Sequence, residues 1–234
     1  MLTQGVDTSH WSGKTDFKLM KSRGVKFNIA KMSDFYYNTK QPFVDSRWVE
    51  TYKACKEVGI LIGGYHWLQP AIDPTVQAKW YLDQYFRTPT DLPPVVDFED
   101  NKYTTVKDYL WRLRTWLEKV ELATGRVPII YTGTGRGFMA PFIASDQVAW
   151  MARYPLWLAH YNEVPEVPRA WDKFTFWQYS ESGDGVFYGT ESEDLDLDYF
   201  NGTEAELRLF CMIEESEPVR RKWWLYRLLE HMMR

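Results

Sequence analysis

The amino-acid sequence predicts an α/β fold, an irregular TIM-like β/α barrel with incomplete outer helices, as a single domain over 1–204 with a C-terminal helical tail over 205–234. Three observations predict it. Strand-like segments alternate with segments of helical period through the first half. The second half holds short strand-like segments with little room for long helices between them. The 234 residues also lie within the size that one large α/β domain reaches without splitting. A doubly wound open sheet is the alternative architecture.

The elements follow in order. The first strand ends in Gly5-Val6-Asp7-Thr8-Ser9, and 25–32 reads as the second. A helix is expected over 43–58, closed by Gly59, a residue suited to the left-handed position after a helix. A strand over 60–67 follows. Asp73-Pro74 supplies an N-cap and a first-turn proline for a helix running to about Phe86, and 92–98 is a short apolar strand. Val106, Tyr109, Leu110, Leu113, Trp116, Leu117 and Val120 then recur at three- and four-residue steps, an apolar stripe that stops before Gly125. Strands are expected over 127–131, 155–161, 174–179 and 195–200. A helix over 204–212 leads through Glu214, Glu215, Glu217 and Pro218 to a stretch rich in Arg, Lys and Trp. In that stretch Trp223, Trp224, Leu225, Leu228, Leu229 and Met232 fit one helix face, with Arg220, Arg221, Lys222 and Arg227 mostly beside it. Such a helix either packs on the domain or on a second copy, or makes a weak contact with an anionic surface.

Composition excludes several classes. No uncharged apolar run approaches the roughly 20 residues needed to cross a bilayer. A net charge of -4 argues against a protein that holds nucleic acid by neutralising phosphates. Cys55 and Cys211 are far apart and form no CxxC, so neither a disulfide framework nor a structural zinc site is expected. The start of the chain lacks a basic stretch followed by an apolar one, so no signal peptide is expected, and the product is expected to stay in the cytoplasm until released. Aromatic residues, at 17% with 12 Trp, are in excess, and only their positions separate core packing from a ring-lined cleft.

The best-placed acids lie in Val96-Asp97-Phe98-Glu99. On a strand alternate side chains share a face, so Asp97 and Glu99 point the same way, their Cα atoms about 6.6 Å apart. Both project from the mouth end of one strand, where barrels carry their catalytic groups. Asp7 ends the first strand, and Asp196 and Asp198 lie on the last. First and last strands are neighbours once a barrel closes, so these acids are expected to meet. Crowded carboxylates cannot all ionise cheaply, so one should keep its proton to higher pH and serve as a general acid. Glycosidic bond cleavage needs such a group, with a second carboxylate for the cationic ring.

Gly5-Val6-Asp7-Thr8-Ser9, Gly64-Tyr65-His66-Trp67, Val96-Asp97-Phe98-Glu99, Ile130-Tyr131-Thr132-Gly133, Leu156-Trp157-Leu158-Ala159, Phe176-Trp177-Gln178-Tyr179-Ser180 and Asp196-Leu197-Asp198-Tyr199-Phe200, taken in order, resemble glycoside hydrolase family 25, the Chalaropsis-type muramidases that include many phage endolysins. The resemblance covers residues 3–203. It implies an irregular β/α barrel that hydrolyses the β-1,4 bond from N-acetylmuramic acid to N-acetylglucosamine in peptidoglycan, with no metal or organic cofactor. It further implies that Glu99 is the general acid/base and that Asp97 orients the 2-acetamido group or positions water. Asp7 and Asp196 would be the other two cleft acids. The sequence departs from the family pattern at Asp198, where an Asn is expected, and at Lys31-Met32-Ser33-Asp34-Phe35-Tyr36, where Asp34 stands in for a Glu.

Against that pattern the rings acquire positions. Tyr65 and Trp67 share a face by strand parity, as do Trp177 and Tyr179. Tyr65, Trp67, Tyr131, Tyr161 and Trp177 are candidate sugar-stacking residues, and Gln178 and Asp198 candidate polar contacts. The glycines of Thr132-Gly133-Thr134-Gly135-Arg136-Gly137 lack phosphate-loop spacing. His10, His66, His160 and His231 form no compact metal-ligand set, which disfavours a zinc amidase; His10 and His66 near the mouth either touch substrate or are structural. Asn201-Gly202-Thr203 is read as a turn rather than a glycosylation site. The expected function is therefore a peptidoglycan muramidase of endolysin type. The alternatives are another N-acetylhexosaminidase acting on chitin-like glycan and a catalytically silent wall-binding module, the latter opposed by retention of all four cleft acids. No signal for an oligomeric state is present.

Overall fold

The computed structural model describes residues 1–99, 105–134 and 146–211. Its strands are β1 (Thr3–Thr8), β2 (Phe27–Phe35), β3 (Pro42–Val44), β4 (Leu61–Trp67), β5 (Val95–Asp97), β6 (Ile129–Gly133), β7 (Leu156–Ala159), β8 (Phe176–Asp184) and β9 (Asp194–Phe200). Eight of them close a barrel in the order β1-β2-β4-β5-β6-β7-β8-β9, and β3 extends β2 outside the ring. Neighbours in the ring are parallel except at β9, which runs antiparallel to both β8 and β1. Chain length explains the reversal. A parallel return needs a crossover of a dozen or more residues, whereas only residues 185–193, holding the short helix α5 described below, separate β8 from β9.

Side chains alternate between two cores. Phe27, Ile29, Tyr65, Val95, Ile129, Tyr131, Trp157, Phe176 and Phe200 fill the barrel. Val6, Ala30, Ile62, Val96, Ile130, Leu156, Leu158, Trp177 and Leu197 face outwards into the shell beneath the helices. Gly5 belongs to the inner set for steric reasons, since a Cβ there would lie 2.2 Å from the Phe27 ring.

The helices are α1 (Phe17–Ser22), α2 (Trp48–Val58), α3 (Pro74–Tyr85), α4 (Val106–Thr124), α5 (Gly185–Tyr188) and α6 (Glu204–Cys211). Asp73 caps α3 through the amides of Thr75 and Val76, with Pro74 in its first turn. Gly59 ends α2 at φ 72°, a left-handed conformation that penalises a side chain. Between α4 and β9 the outer layer holds, among the described residues, a 3-10 stretch over Asp146–Arg153 and the four residues of α5.

Two segments differ from expectation. Residues 42–44 pair with Ser33–Phe35 instead of starting α2, because Phe43 and Val44 suit a strand; Asp45 then turns the chain ahead of the helix, accepting the Arg47 amide at 2.9 Å. Helix α1 was not anticipated from periodicity; its signal is Asp16, which accepts from the amides of Lys18 and Leu19 at 3.0 Å. Helix α6 plugs the barrel bottom, with Leu207 buried and Phe210 against Phe176 and Phe200, so the packed barrel extends past residue 204. The basic aromatic stretch within 218–234 and the glycines at 135 and 137 lie outside the described residues. No helix among the described residues is long and apolar enough to cross a membrane.

Arg126 ties this closed end together. It is buried, and its guanidinium donates to the carbonyls of Leu92 at 2.9 Å, Asp91 at 2.8 Å and Cys211 at 3.1 Å. Arg126→Met would strand those acceptors in the interior, at an expected cost of about 3 kcal/mol, or a drop of roughly 6–12 °C in thermal midpoint for a domain of this size. Calorimetry checks this, and a midpoint within a degree of the parent's would show that the clamp carries no stability.

Candidate active site

The mouth of the barrel is built on β5. Its register sets Asp97 between Trp67 of β4 and Tyr131 of β6, and Leu68 and Phe98 extend the pairing by donating to the Asp97 and Tyr131 carbonyls at 3.0 and 2.9 Å. Val96 and Phe98 turn outwards into full burial, Phe98 against Tyr109 of α4 with ring centroids 4.3 Å apart. The alternation leaves Asp97 and Glu99 facing inwards, Asp97 buried and Glu99 half-buried. Both line a cleft of about 330 Å³.

The opposite wall comes from β1 and β9. Because β9 runs downwards, its mouth end is its beginning, so Asp194 and Asp196 reach the cleft and Asp196 pairs directly with Asp7. Asp198 lies two residues deeper, opposite Gly5. It is fully buried, accepts from Trp157 Nε1 at 2.7 Å, and does not line the cleft. It is thus placed as a support beneath the site instead of the substrate contact expected from the sequence.

Gln178 of β8 connects the walls. The Tyr131 and Tyr161 hydroxyls both donate to its Oε1, at 2.8 and 2.9 Å, which turns its amide Nε2 onto Asp7 Oδ2 at 2.7 Å. Two donors on one oxygen fix the amide orientation. Tyr161, half exposed beyond the cleft, reaches the site through this bond. Tyr65, Tyr131 and Trp157 form the floor, with the Trp157 ring 4.4 Å from Tyr131 and 6.2 Å from Tyr65. Trp67 forms part of the wall, under Lys31 Nζ at 4.8 Å from its ring.

Trp177 is not in the cleft. Strand parity turns it with Tyr179 to the outer face, where its Nε1 donates to the His160 carbonyl at 2.7 Å, so the expectation of sugar stacking is corrected. Asp34 also turns away, pairing with Lys31 at 2.7 Å and accepting from Gln69 at 2.9 Å. Neither mouth histidine lines the cleft. His10 is held by Asp45 at 2.8 Å, and His66 is stacked on Trp116 in the outer shell, where burial lowers it to about 4 and keeps it neutral. Sequence reading missed Trp157, Trp11, Glu181 and Asp194. The first was visible in its motif, and the last two become legible only once β9 is known to be reversed. Trp11 is 81% exposed at the rim, its backbone amide held by Ser9 Oγ.

Six carboxyls line the cleft (Asp7, Asp97, Glu99, Glu181, Asp194 and Asp196), and no Lys, Arg or His among the described residues lines it with them. No group of three or more His, Cys, Asp or Glu among the described residues is disposed to hold a metal ion. Burial, reinforced by Asp196 and Asp198, holds Asp7 well above the usual carboxylate range. Burial likewise raises Asp196 to about 6 and Asp198 to about 8. A raised carboxyl binds more protons folded than unfolded, so it subtracts stability as pH climbs from the unfolded value near 4 to the folded value. Asp196→Asn removes one such group. The unfolding free energy of the variant minus that of the parent should grow between about pH 4 and 6 and then level off, by up to about 3 kcal/mol; a difference flat with pH would contradict the assignment.

A family model for glycosyl hydrolases family 25 matches residues 6–186. The chain is 31% identical over 214 residues to the Escherichia coli O157:H7 protein YegX, covering 88% of this chain and 72% of that protein. It is 31% identical over 218 residues to lysozyme M1 of Streptomyces globisporus, covering 87% and 69%. Among solved structures, the bacterial lysozyme from Streptomyces coelicolor matches with a TM-score of 0.74 at 27% identity, covering 89% of this chain and 96% of that one. With the acids of β1, β5 and β9 gathered at one mouth of the barrel and the family match spanning 6–186, the chain belongs to the glycosyl hydrolases family 25.

Proposed function

We propose that this chain is a muramidase that hydrolyses the β-1,4 bond between N-acetylmuramic acid and N-acetylglucosamine in bacterial peptidoglycan. The observation that carries the reading is the pair Asp97 and Glu99, projected from one strand end into a ring-floored cleft in a chain of this family. Glu99, the more exposed of the two, is positioned to protonate the leaving oxygen. Asp97, buried beside Tyr131 and Trp67, faces the positive charge that develops on the sugar ring. Tyr65, Tyr131, Trp157 and Trp67 offer apolar faces for sugar rings. Asp7 and Asp196 hold the polar substituents on the opposite wall, and Gln178 keeps Asp7 in place.

The same reading makes the protein an agent of bacterial lysis, produced in the cytoplasm and acting on the wall after release. The lytic role is supported by the likeness to enzymes named lysozymes. The basic aromatic stretch within 218–234 would add affinity for an anionic wall surface.

Digestion of purified peptidoglycan, followed by reduction of the new sugar ends and mass spectrometry, tests the activity. Reducing-end muramic acid is expected; reducing-end glucosamine would make the chain a glucosaminidase, and free amino groups without new reducing ends would exclude glycosidase activity. Glu99→Gln should lower turnover about 10³-fold while leaving the thermal midpoint intact, and a parental rate would remove Glu99 from the acid role. Deleting residues 218–234 should weaken binding to whole walls more than cleavage of short soluble glycans. Equal loss on both, with a lowered midpoint, would assign the tail to packing.

A further inference from the structure

Asp198 is a buried acid that the reaction as described does not use. Its two oxygens have different surroundings: Oδ1 accepts from Trp157 Nε1 at 2.7 Å, while no donor among the described residues reaches Oδ2. The Asp7 carboxyl lies within hydrogen-bonding reach. Strand register explains the approach, because Asp198 stands opposite Gly5, which has no side chain to separate it from Asp7 two residues along β1. Two carboxylates in such contact repel, and only a proton between them makes the contact a hydrogen bond.

The surroundings supply no other remedy. Asp7 of β1 and Asp196 of β9 are the acids that face Asp198, Trp157 of β7 is a neutral donor, and Gln178 of β8 is committed to Asp7. Burial pushes Asp198 upwards, and no cation among the described residues offsets it.

We propose that Asp198 is a positioning residue for the hydrolytic reaction: a buried carboxyl beneath the cleft floor that shares one proton with Asp7, the loss of that proton setting the alkaline limit of turnover. While the proton is present, Asp7 is held from behind by Asp198 and from the side by Gln178. When it leaves, two negative carboxylates face each other in the interior, and repulsion displaces Asp7 from the cleft wall. The inference rests on the muramidase reading for its kinetic part alone.

Asp198→Asn is the informative variant, since Asn still accepts from Trp157 and donates to Asp7 but does not titrate. Infrared spectroscopy of the protein without substrate should show a protonated buried carboxyl at pH 7 whose band titrates away near pH 8, a titration missing from Asp198→Asn. With each pH profile of kcat/KM on peptidoglycan scaled to its own maximum, the alkaline limb of Asp198→Asn should lie about one pH unit or more above the parent's. Asp198→Leu, which cannot donate, should lower kcat with little change in KM, and the amide of Asp198→Asn should restore it. An alkaline limb that coincides in parent and Asn variant, or parent protein with no such band at pH 7, would overturn the proposal. Should Asp198→Asn fail to fold, titration of the parent's band decides alone. A band that titrates as described in a protein inert towards peptidoglycan would sink the muramidase reading and leave the shared proton standing.

Discussion

Closure of the barrel by a strand running against its neighbours is the constraint from which the site follows. In a ring of parallel strands every mouth residue sits at a strand's C-terminal end, one turn away from a helix. Here β9 enters at the mouth and descends, so Asp194 and Asp196 belong to the rim and Asp198 to the depth. The connection from β8 that imposes this reversal holds only a four-residue helix, and Glu181 of the extended β8 lines the mouth beside it. An acidic wall built from β1, β8 and β9 thereby faces an acidic pair on β5 across a floor of aromatic rings.

So many carboxyls in one cleft are tolerable only because some are not charged. Two carboxylates about 4 Å apart in surroundings of effective dielectric near 20 repel by roughly 4 kcal/mol. Keeping a proton on an ordinary carboxyl at pH 7, some three pH units above its usual value, costs about 4 kcal/mol. The two penalties are comparable, and burial, which penalises only the ionised form, tips the balance towards the proton. That is why the groups raised furthest, Asp7 and Asp198, are the buried ones, while Asp196, nearer solvent, rises only to about 6.

Local chemistry made most of the fold legible. Asp73-Pro74 marks the start of α3, the stripe from Val106 to Val120 lies on α4, and Gly59 ends α2, each decided within a few residues of chain. Asp97 and Glu99 were equally legible, because period-two alternation alone puts them on one face. What local pattern does not carry is strand direction. A strand reads the same upwards and downwards, so Asp196 and Asp198 look equivalent in the sequence, and only the β8 to β9 connection separates a rim acid from a buried one. Parity, in turn, says that Trp177 and Tyr179 share a face but not which face. Their outward turn is settled by Phe176 and Gln178, whose side chains take the interior.

The division of charge between the two walls bears on how bond cleavage is accelerated. A carboxylate about 5 Å from a full positive charge, at an effective dielectric of about 20, is worth roughly 3 kcal/mol, a few hundred-fold in rate if the charge exists only in the transition state. Spread over all six cleft acids, such a field would act on the resting site as well, drawing in cations and weakening its own hydrogen bonds. On the reading proposed above, the proton held between Asp7 and Asp198 removes one charge from the β1 side and so weakens the field there. A proton on the Asp7 carboxyl lets it donate to an uncharged sugar substituent, and in the proposed reaction the buried carboxyl that a cationic ring would meet on the opposite wall is Asp97. In the proposed reaction the proton shared by Asp7 and Asp198 then contributes by what it withholds: it weakens the field in the ground state on one wall, so that the opposite wall supplies the differential stabilisation.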